Sequence, residues 1–465
     1  MAAIITNHFR LNNAQQFYES FGETASTKYY LFVGRHQAFS TASGGGTDAS
    51  PPSPLDNVVD QYMYFRDMFA AKRITTSHIS YAVTRHNWVT GTVYDMYRAD
   101  YGAMVNASQV QTEANGIDMF AATTRMWVLN SENNVYKCIW NAAGVASTTE
   151  PSGTSTSELT TADGYVWKYM YTLTTTEITD FLTSDFMPVH TDSTVSAAAE
   201  DGSIRHYIVA NGGAGYTNGS YTANVLKGDG TTNATFNVTV SGNSVTAITP
   251  VDSGVGYSFA DCDIDNITGI GSPSTSAIIV PIISPPGGHG SSAINELGGF
   301  FIVTNTSIAG TAGSGDFIVD QDFRRIGLVR DPYDYGTTTV STADTMSALK
   351  SMTLKASPTP GSFIVDEVLT GGTSGAKGIV VDWDSSTRVL KYAQTEWTGL
   401  DASNNLVSFA ASESITSASS ATGEIDTVNN PEIDYYSGQV VYVENRAPIT
   451  RAADQTENIK LIIEF

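Results

Sequence analysis

Apolar and polar residues alternate with a period of two over most of the chain. The segment behind the Asp163-Gly164 turn is the clearest case, with Tyr165, Trp167, Tyr169 and Tyr171 set against Val166, Lys168, Met170 and Thr172. This predicts a strand with an aromatic ladder on one face, better explained by cross-strand packing than by a sugar-stacking platform. "NNVYKCIW" (133–140) reads as a second strand, and "KYYLFVGR" (28–35) is almost continuously apolar, as in a buried strand. Helical spacing is confined to the first part of the chain. "AIITNHF" (3–9) reads as extended. "NNAQQFYESFG" (12–22) then places Ala14, Phe17, Tyr18 and Phe21 on one face, with Asn12 or Asn13 as cap and Gly22 as stop. A Gly/Ser-rich loop covers 40–50. A second helix is predicted from Ser53 as N-cap, with Pro54 at its first position, Asp56 closing a capping box and a stripe of Leu55, Val58, Val59, Tyr62 and Phe69.

Two stretches repeat internally. Gly213, Gly215 and Tyr216 recur as Gly254, Gly256 and Tyr257, which predicts a duplicated β-hairpin unit with left-handed glycines and a tyrosine packed beneath them. "SGAKGIV" (374–380) and "SSATGEI" (419–425) share Ser-x-Ala-x-Gly, a shorter β repeat. "ISPPGGHGSS" (283–292) reads as a boundary.

Composition narrows function. The 465 residues carry 24 Lys and Arg against 47 Asp and Glu, a net charge of -23. That argues against a nucleic-acid interface built on clustered cations and disfavours anionic membranes. No apolar run reaches membrane-spanning length, and the start lacks the basic-then-apolar order of a signal peptide. Cys138 and Cys262 are too far apart for a disulfide framework or a metal motif, so the chain is expected to be soluble and made in a reducing cytoplasm.

Candidate chemistry is sparse. "GGTSGAKG" (371–378) lacks the Gly-Lys-Ser/Thr order of a phosphate loop and lies between strands. Asp261, Asp263 and Asp265 share a strand face, but Asn266 and Ser272 stand where an EF-hand needs Gly and Glu; a solvated edge is the plainer reading than a weak calcium site. The seven histidines (8, 36, 78, 86, 190, 206 and 289) show no zinc spacing, and no Gly-x-Ser-x-Gly elbow occurs. No catalytic, cofactor-binding or metal residue is assigned, and no cofactor.

The chain ends "GQVVYVENRAPITRAADQTENIKLIIEF" (438–465). With "YVENRAPI", "DQTENI" and a final apolar strand ending in Phe465, this resembles the C-terminus of the baseplate wedge subunit of T-even-type contractile-tailed bacteriophages, the product of gene eight. "FVGR" (32–35), "RHNW" (85–88), "NNVYKCI", "DGYVWKYMYTL" and "FRRIGLVRDPYDYG" (323–336) resemble further segments of that family in the same order. The resemblance covers about 1–190, 290–345 and 431–465. It implies a predominantly β, α+β fold: an α/β domain from both chain ends (1–77 with 431–465) and nested β-sandwich domains (78–200 with 290–350). The blocks 203–283 and 353–428 lie outside the resemblance and read as inserted β modules. The two modules are similar to ones in structural proteins of phages of cyanobacteria. The resemblance further implies a myovirus virion protein without catalytic activity, a homodimer that binds other wedge proteins, with no nucleic-acid or membrane partner. It would be made in the host cytoplasm and placed in the tail baseplate. A host-binding adhesin using the aromatic ladder and Gly-Tyr loops is the alternative, and a polysaccharide-degrading enzyme with paired acids a third reading. In a nested chain, "NIKLIIEF" (458–465) is expected to pair with "KYYLFVGR". Pro448 is expected to stop or bulge the preceding strand, and Arg446 to pair with Glu444 or a neighbour's acid.

Overall fold

The computed structural model describes residues 5–23, 27–42, 44–99, 119–223, 226–308, 317–319, 321–395, 400–403, 405–452 and 456–465. The fold is predominantly β, with several sheets, one closed barrel and a few short helices. Two compact units divide the chain: one of Met1–Gln16, Ser80–Val303 and Ile462–Phe465, the other of Phe17–Ile79 and Thr304–Leu461.

In the second unit, the Tyr29–Gly34 strand is buried at every position because it lies in the middle of a five-stranded antiparallel sheet. The order is Thr345–Ser347, Met68–Ile74, Tyr29–Gly34, Asp322–Arg330 and Gln439–Thr450. A strand covered on both faces has no solvent side to mark with polar residues, hence its unbroken apolar run. Tyr30, Phe32, Phe65, Met68, Val329 and Ile433 make its core cluster. Gly327 lets the Phe32 ring close on the neighbouring strand: a Cβ there would meet the Phe32 ring at 2.3 Å and the Tyr442 carbonyl oxygen at 2.6 Å.

The same unit holds a closed six-stranded barrel between Lys350 and Asn429, whose first and last strands pair through Ser351 and Asn429. Its interior is apolar, with Met352, Leu369, Val380, Leu390, Ile415 and Ile425 at its centre. The Ser-x-Ala-x-Gly repeat has a packing reason here. A Cβ at Gly378 would lie 3.0 Å from Tyr392, and one at Gly423 2.8 Å from Leu354, so both glycines let an interior side chain reach the wall.

In the first unit, Trp127–Leu129, Asn134–Asn141, Tyr165–Thr172 and Leu159–Thr160 form one sheet in that order. The aromatic ladder is buried: Tyr165, Trp167 and Tyr171 are 0% exposed and Tyr169 7%. Tyr165 and Trp167 stack at 5.4 Å, with Tyr94 edge-on to Trp167 at 5.6 Å. The Gly-Tyr repeat is also real in three dimensions. Gly213, Gly215, Gly254 and Gly256 all have φ between 58° and 89°, and both tyrosines are buried. Tyr216 Oη accepts the Ala277 amide at 2.8 Å and Tyr257 Oη the Ala234 amide at 3.0 Å, so each tyrosine ties its glycine turn to a crossing segment.

Three local expectations fail. The first helix runs Asn7–Glu19, so Asn7, His8 and Phe9 are helical, and Asn12 and Asn13 lie inside the helix. Thr6 caps it, through Oγ1 to the Phe9 amide at 3.3 Å; the apolar run before it had masked the cap. The second helix is Val58–Arg66, capped by Asn57, whose side chain accepts the Val59 and Asp60 amides at 3.0 Å. Ser53 to Asp56 stay outside it because Tyr64 Oη ties both Leu55 backbone groups. Phe69 falls on a strand, and the helix buries Tyr64 and Phe65, not the predicted stripe.

The third correction concerns the chain's end. The returning strand that joins the Tyr29–Gly34 sheet is Gln439–Thr450, paired to Asp322–Arg330. Glu457–Glu464 lies instead in a sheet ordered Glu457–Glu464, Phe301–Ile308, Ile79–Thr84, Phe186–Pro188. Ile462 packs with Ala82, Phe181 and Val303, and Arg10 covers the Phe300 ring at 3.5 Å while its Nε donates to the Phe465 carbonyl at 2.6 Å. Removing Ile462–Phe465 is therefore expected to loosen the first helix and residues 300–303, with hydrogen exchange of Tyr29–Gly34 unchanged. Loss of protection in Tyr29–Gly34 itself would contradict this placement. Pro448 does sit in a bulge, since Asn445 and Ile449 oppose Arg325 and Phe323 with 446–448 between them, and Arg446 Nε lies 3.6 Å from Glu444 Oε1.

Candidate functional site

Three of the segments that carry the family resemblance meet in one place in the second unit. "FVGR" ends at Arg35, "FRRIG" supplies Arg324 and Arg325, and "ENRAPI" supplies Asn445. Asp67 stands just past the second helix and is 3% exposed. Its Oδ2 receives Arg325 Nη1 at 2.9 Å and has Arg35 Nη1 at 3.6 Å. Arg325 Nε donates to Asn445 Oδ1 at 2.9 Å, and Asn445 Nδ2 to the Pro52 carbonyl at 2.9 Å. Arg325 also lies over the Tyr64 ring at 4.6 Å and Arg35 over Phe39 at 4.1 Å. Arg324 grips Asp48 with two bonds, Nε–Oδ1 at 3.0 Å and Nη2–Oδ2 at 2.9 Å, and reaches Asp322 at 3.1 Å and the His36 carbonyl. Planar guanidinium forks suit such bidentate pairing; lysine could not supply it. The network ties two inner strands, the edge strand and the helix end into one geometry.

Burial pushes the His36 imidazole down to about 3, with Arg35 and Arg324 adding to the effect. Neither ring nitrogen has a hydrogen-bond partner among the described residues. His206 is pushed down to about 4 by burial and by Arg98. Both groups stay neutral in the fold but protonate near 6.5 once unfolded. The unfolded chain therefore binds more protons below about pH 6.5, and stability falls as pH falls from there toward the folded values. Urea unfolding is expected to show a loss on the order of 1 kcal/mol per pH unit per buried histidine between pH 6.5 and 5. His36→Leu is expected to flatten that slope; an unchanged slope would contradict it.

The first unit has its own buried charge cluster. Lys137, 0% exposed, points from the Asn134–Asn141 strand to Glu296 Oε2 at 2.7 Å and to His289 Nδ1 at 3.2 Å. Glu296 Oε1 accepts the amides of Gly290 at 2.7 Å and Ser292 at 3.3 Å. The Tyr97 ring faces Lys137 Nζ at 4.2 Å and meets His289 edge-on at 4.9 Å. Burial pulls the Lys137 ammonium below its ordinary value and Glu296 opposes that pull; burial and Lys137 hold His289 well below its own. Glu296, Tyr97, Phe120, Tyr257 and Pro285 border a cavity of about 820 Å³. With both carboxylate oxygens already engaged, Glu296 is a structural anchor at the cavity wall rather than a free acid or base. Sequence reasoning missed this cluster, although the lysine inside an otherwise apolar strand was a signal.

The residues singled out in the sequence are not brought together. Asp263 pairs with Lys227 at 3.0 Å, while Asp265 accepts the hydroxyls of Tyr216 and Ser276, both at 2.5 Å. Among the described residues no group of three or more His, Cys, Asp and Glu is placed to hold a metal ion. In "GGTSGAKG" the anion seat is filled from within: Glu413 Oε2 accepts the amides of Thr373 at 3.1 Å and Ser374 at 2.9 Å, and Oε1 accepts Ser374 Oγ at 2.8 Å. Burial raises the Glu413 carboxyl, these bonds outweigh it, and the net shift is downward. Cys138 and Cys262 are both buried and unbridged. No helix among the described residues is long and apolar enough to cross a membrane.

Residues 3–138 match the family model described as Bacteriophage T4, Gp8. The matched stretch holds the first two helices, the Tyr29–Gly34 and Met68–Ile74 strands, "RHNW" and Lys137. It includes Arg35 and Asp67 of the ionic network, while Arg325 and Asn445 lie beyond it. Over that stretch the chain is similar to Gp8, and the likeness supports a structural role in a phage baseplate. No curated protein matches the chain.

Proposed function

We propose that the chain is a structural subunit of the baseplate wedge of a contractile-tailed phage. It forms a homodimer, binds neighbouring wedge proteins during assembly and passes on the rearrangement that triggers sheath contraction. The Gp8 match over 3–138 carries this reading. The ionic network supports it: the resembling segments, remote in sequence, supply the side chains that fix one sheet. Rigid sheets tied by buried ion pairs suit a part that moves as a body. The modules at 203–283 and 353–428 are read as insertions into that frame, and their likeness to modules of cyanophage structural proteins favours a cyanobacterial host. The buried ladder and buried Gly-Tyr tyrosines leave the adhesin reading without its stacking surface.

The test is solution mass by light scattering, followed by co-purification with the other wedge proteins. A dimer that co-purifies is expected, and a chain with 353–428 replaced by a short linker is expected to stay dimeric. A monomer that ignores those proteins and binds host polysaccharide would overturn the reading.

A further inference from the structure

Four residues of the predicted apolar stripe, Leu55, Val58, Val59 and Tyr62, face outward. Leu55 is 60% exposed, Val58 64%, Val59 61% and Tyr62 44%. Tyr436 extends it, 43% exposed and edge-on to Tyr62 at 4.5 Å, and a groove of about 320 Å³ separates Leu55 from Val440–Tyr442 with Val441 at its rim. Together these side chains expose on the order of 500 Å² of apolar surface, the upper range for the largest patch on a monomer. Helical spacing brings Val58, Val59 and Tyr62 to one side, Leu55 and Tyr436 extend it, and most of that surface stays open in the single chain.

Charge says what covers it. Asp56 precedes the helix and Asp60 lies in its first turn, whereas Arg66 closes its last turn. Arg66 is held at that end of the patch by Tyr436, with Nε–Oη at 2.8 Å. The apolar face is thus acidic at one end and basic at the other. Laid parallel, two such helices set like charges together. Laid antiparallel, about a two-fold axis between Val59 and Tyr62, they bring Arg66 of each against the Asp56 end of the other, and Val59 against Tyr62. Opposed helix dipoles favour the same arrangement. An isologous contact needs a surface that complements itself, and this one does.

We infer that the outward face of the Val58–Arg66 helix, with Leu55 and Tyr436, is the surface by which two copies of the chain associate, helix against antiparallel helix. This rests on the dimer reading above and goes beyond it by naming the surface, its orientation and its charge pairing.

Four full-length chains test it: wild type, Asp56→Arg, Arg66→Glu and Val59→Asp, compared by sedimentation after circular dichroism confirms folding. Asp56 is exposed, and Arg66 is half-buried with its side-chain hydrogen bond to Tyr436. Either charge reversal alone places like charges at both ends of the contact, so each homodimer is expected to dissociate roughly ten-fold or more readily than wild type. Mixing the two restores opposite charges at both ends, so the mixture is expected to dimerise about as wild type does. Val59→Asp, which buries an unpaired charge at the axis, is expected to weaken the dimer with no rescue by either chain. A wild-type monomer would overturn the dimer reading and the inference with it. A wild-type dimer unaffected by all three variants would overturn the inference alone. Single variants that weaken the dimer without rescue on mixing would overturn the antiparallel arrangement.

Discussion

An Asp67→Ala chain is expected to lose about 3–5 kcal/mol of stability, measured by urea unfolding at neutral pH. The reason is asymmetric. Asp67 is the shared carboxylate of Arg325 and Arg35, all three at 5% exposure or less. Removing it leaves two guanidinium groups buried without their anion, and desolvation that the pair had offset becomes a net cost. An Arg325→Met chain is expected to lose less, because methionine fills much of the volume and Asp67 keeps Arg35. It also deprives Asn445 Oδ1 of its donor, leaving only the bond to Pro52, so part of its effect should appear as faster hydrogen exchange along Gln439–Thr450. Arg446→Ala, at the solvent-facing bulge of the same strand, is the control: an exposed pair 3.6 Å apart contributes within about 1 kcal/mol. Equal losses for Asp67→Ala and Arg446→Ala would contradict the assignment of the network as the brace of this sheet.

A Glu296→Ala chain is expected to show a loss of the same order, about 3–5 kcal/mol, confined to the other unit. It strands the Lys137 ammonium, 0% exposed, and frees the amides of Gly290 and Ser292. Glu296→Gln keeps the shape and an acceptor but removes the charge, so it separates geometry from electrostatics and is expected to fall between wild type and alanine. A double replacement, Lys137→Met with Glu296→Leu, is expected to recover much of the loss, since apolar residues of similar volume often match a buried pair. Hydrogen exchange at Asn134–Asn141 and Tyr165–Thr172 reads the effect locally. A double variant no better than Glu296→Ala would mean that the surrounding fold, and not the stranded charge, accounts for the loss.

Burial was legible where a period carries it. Tyr29–Gly34 is apolar throughout and buried throughout, whereas Tyr165–Thr172 alternates in sequence yet is buried on both faces, with Lys168 and Met170 enclosed as Trp167 is. The Gly-Tyr and Ser-x-Ala-x-Gly repeats were legible because a left-handed turn or a close approach admits so few residue types at Gly213, Gly254, Gly378 and Gly423. Partners were not legible. Arg325 and Asp67 are 258 residues apart, Lys137 and Glu296 159, and nothing local to either member names the other. The same limit misplaced the last strand, since "NIKLIIEF" shows that it is half-buried but not in which sheet. The second helix failed differently. Its apolar stripe has the right spacing for a core face, yet Tyr64 and Phe65 one position round take the core, because the tie from Tyr64 to Leu55 delays the helix start to Asn57. A stripe that periodicity reads as core is surface in the single chain, where an assembly protein would keep its contacts.

The wedge reading stands or falls most directly on electron microscopy of the product of co-expressing this chain with the other wedge proteins of its phage. The expected result is an assembled wedge in which density for two copies of this chain is present and contacts neighbouring subunits. Wedges that assemble to full size with no density for the chain would contradict it.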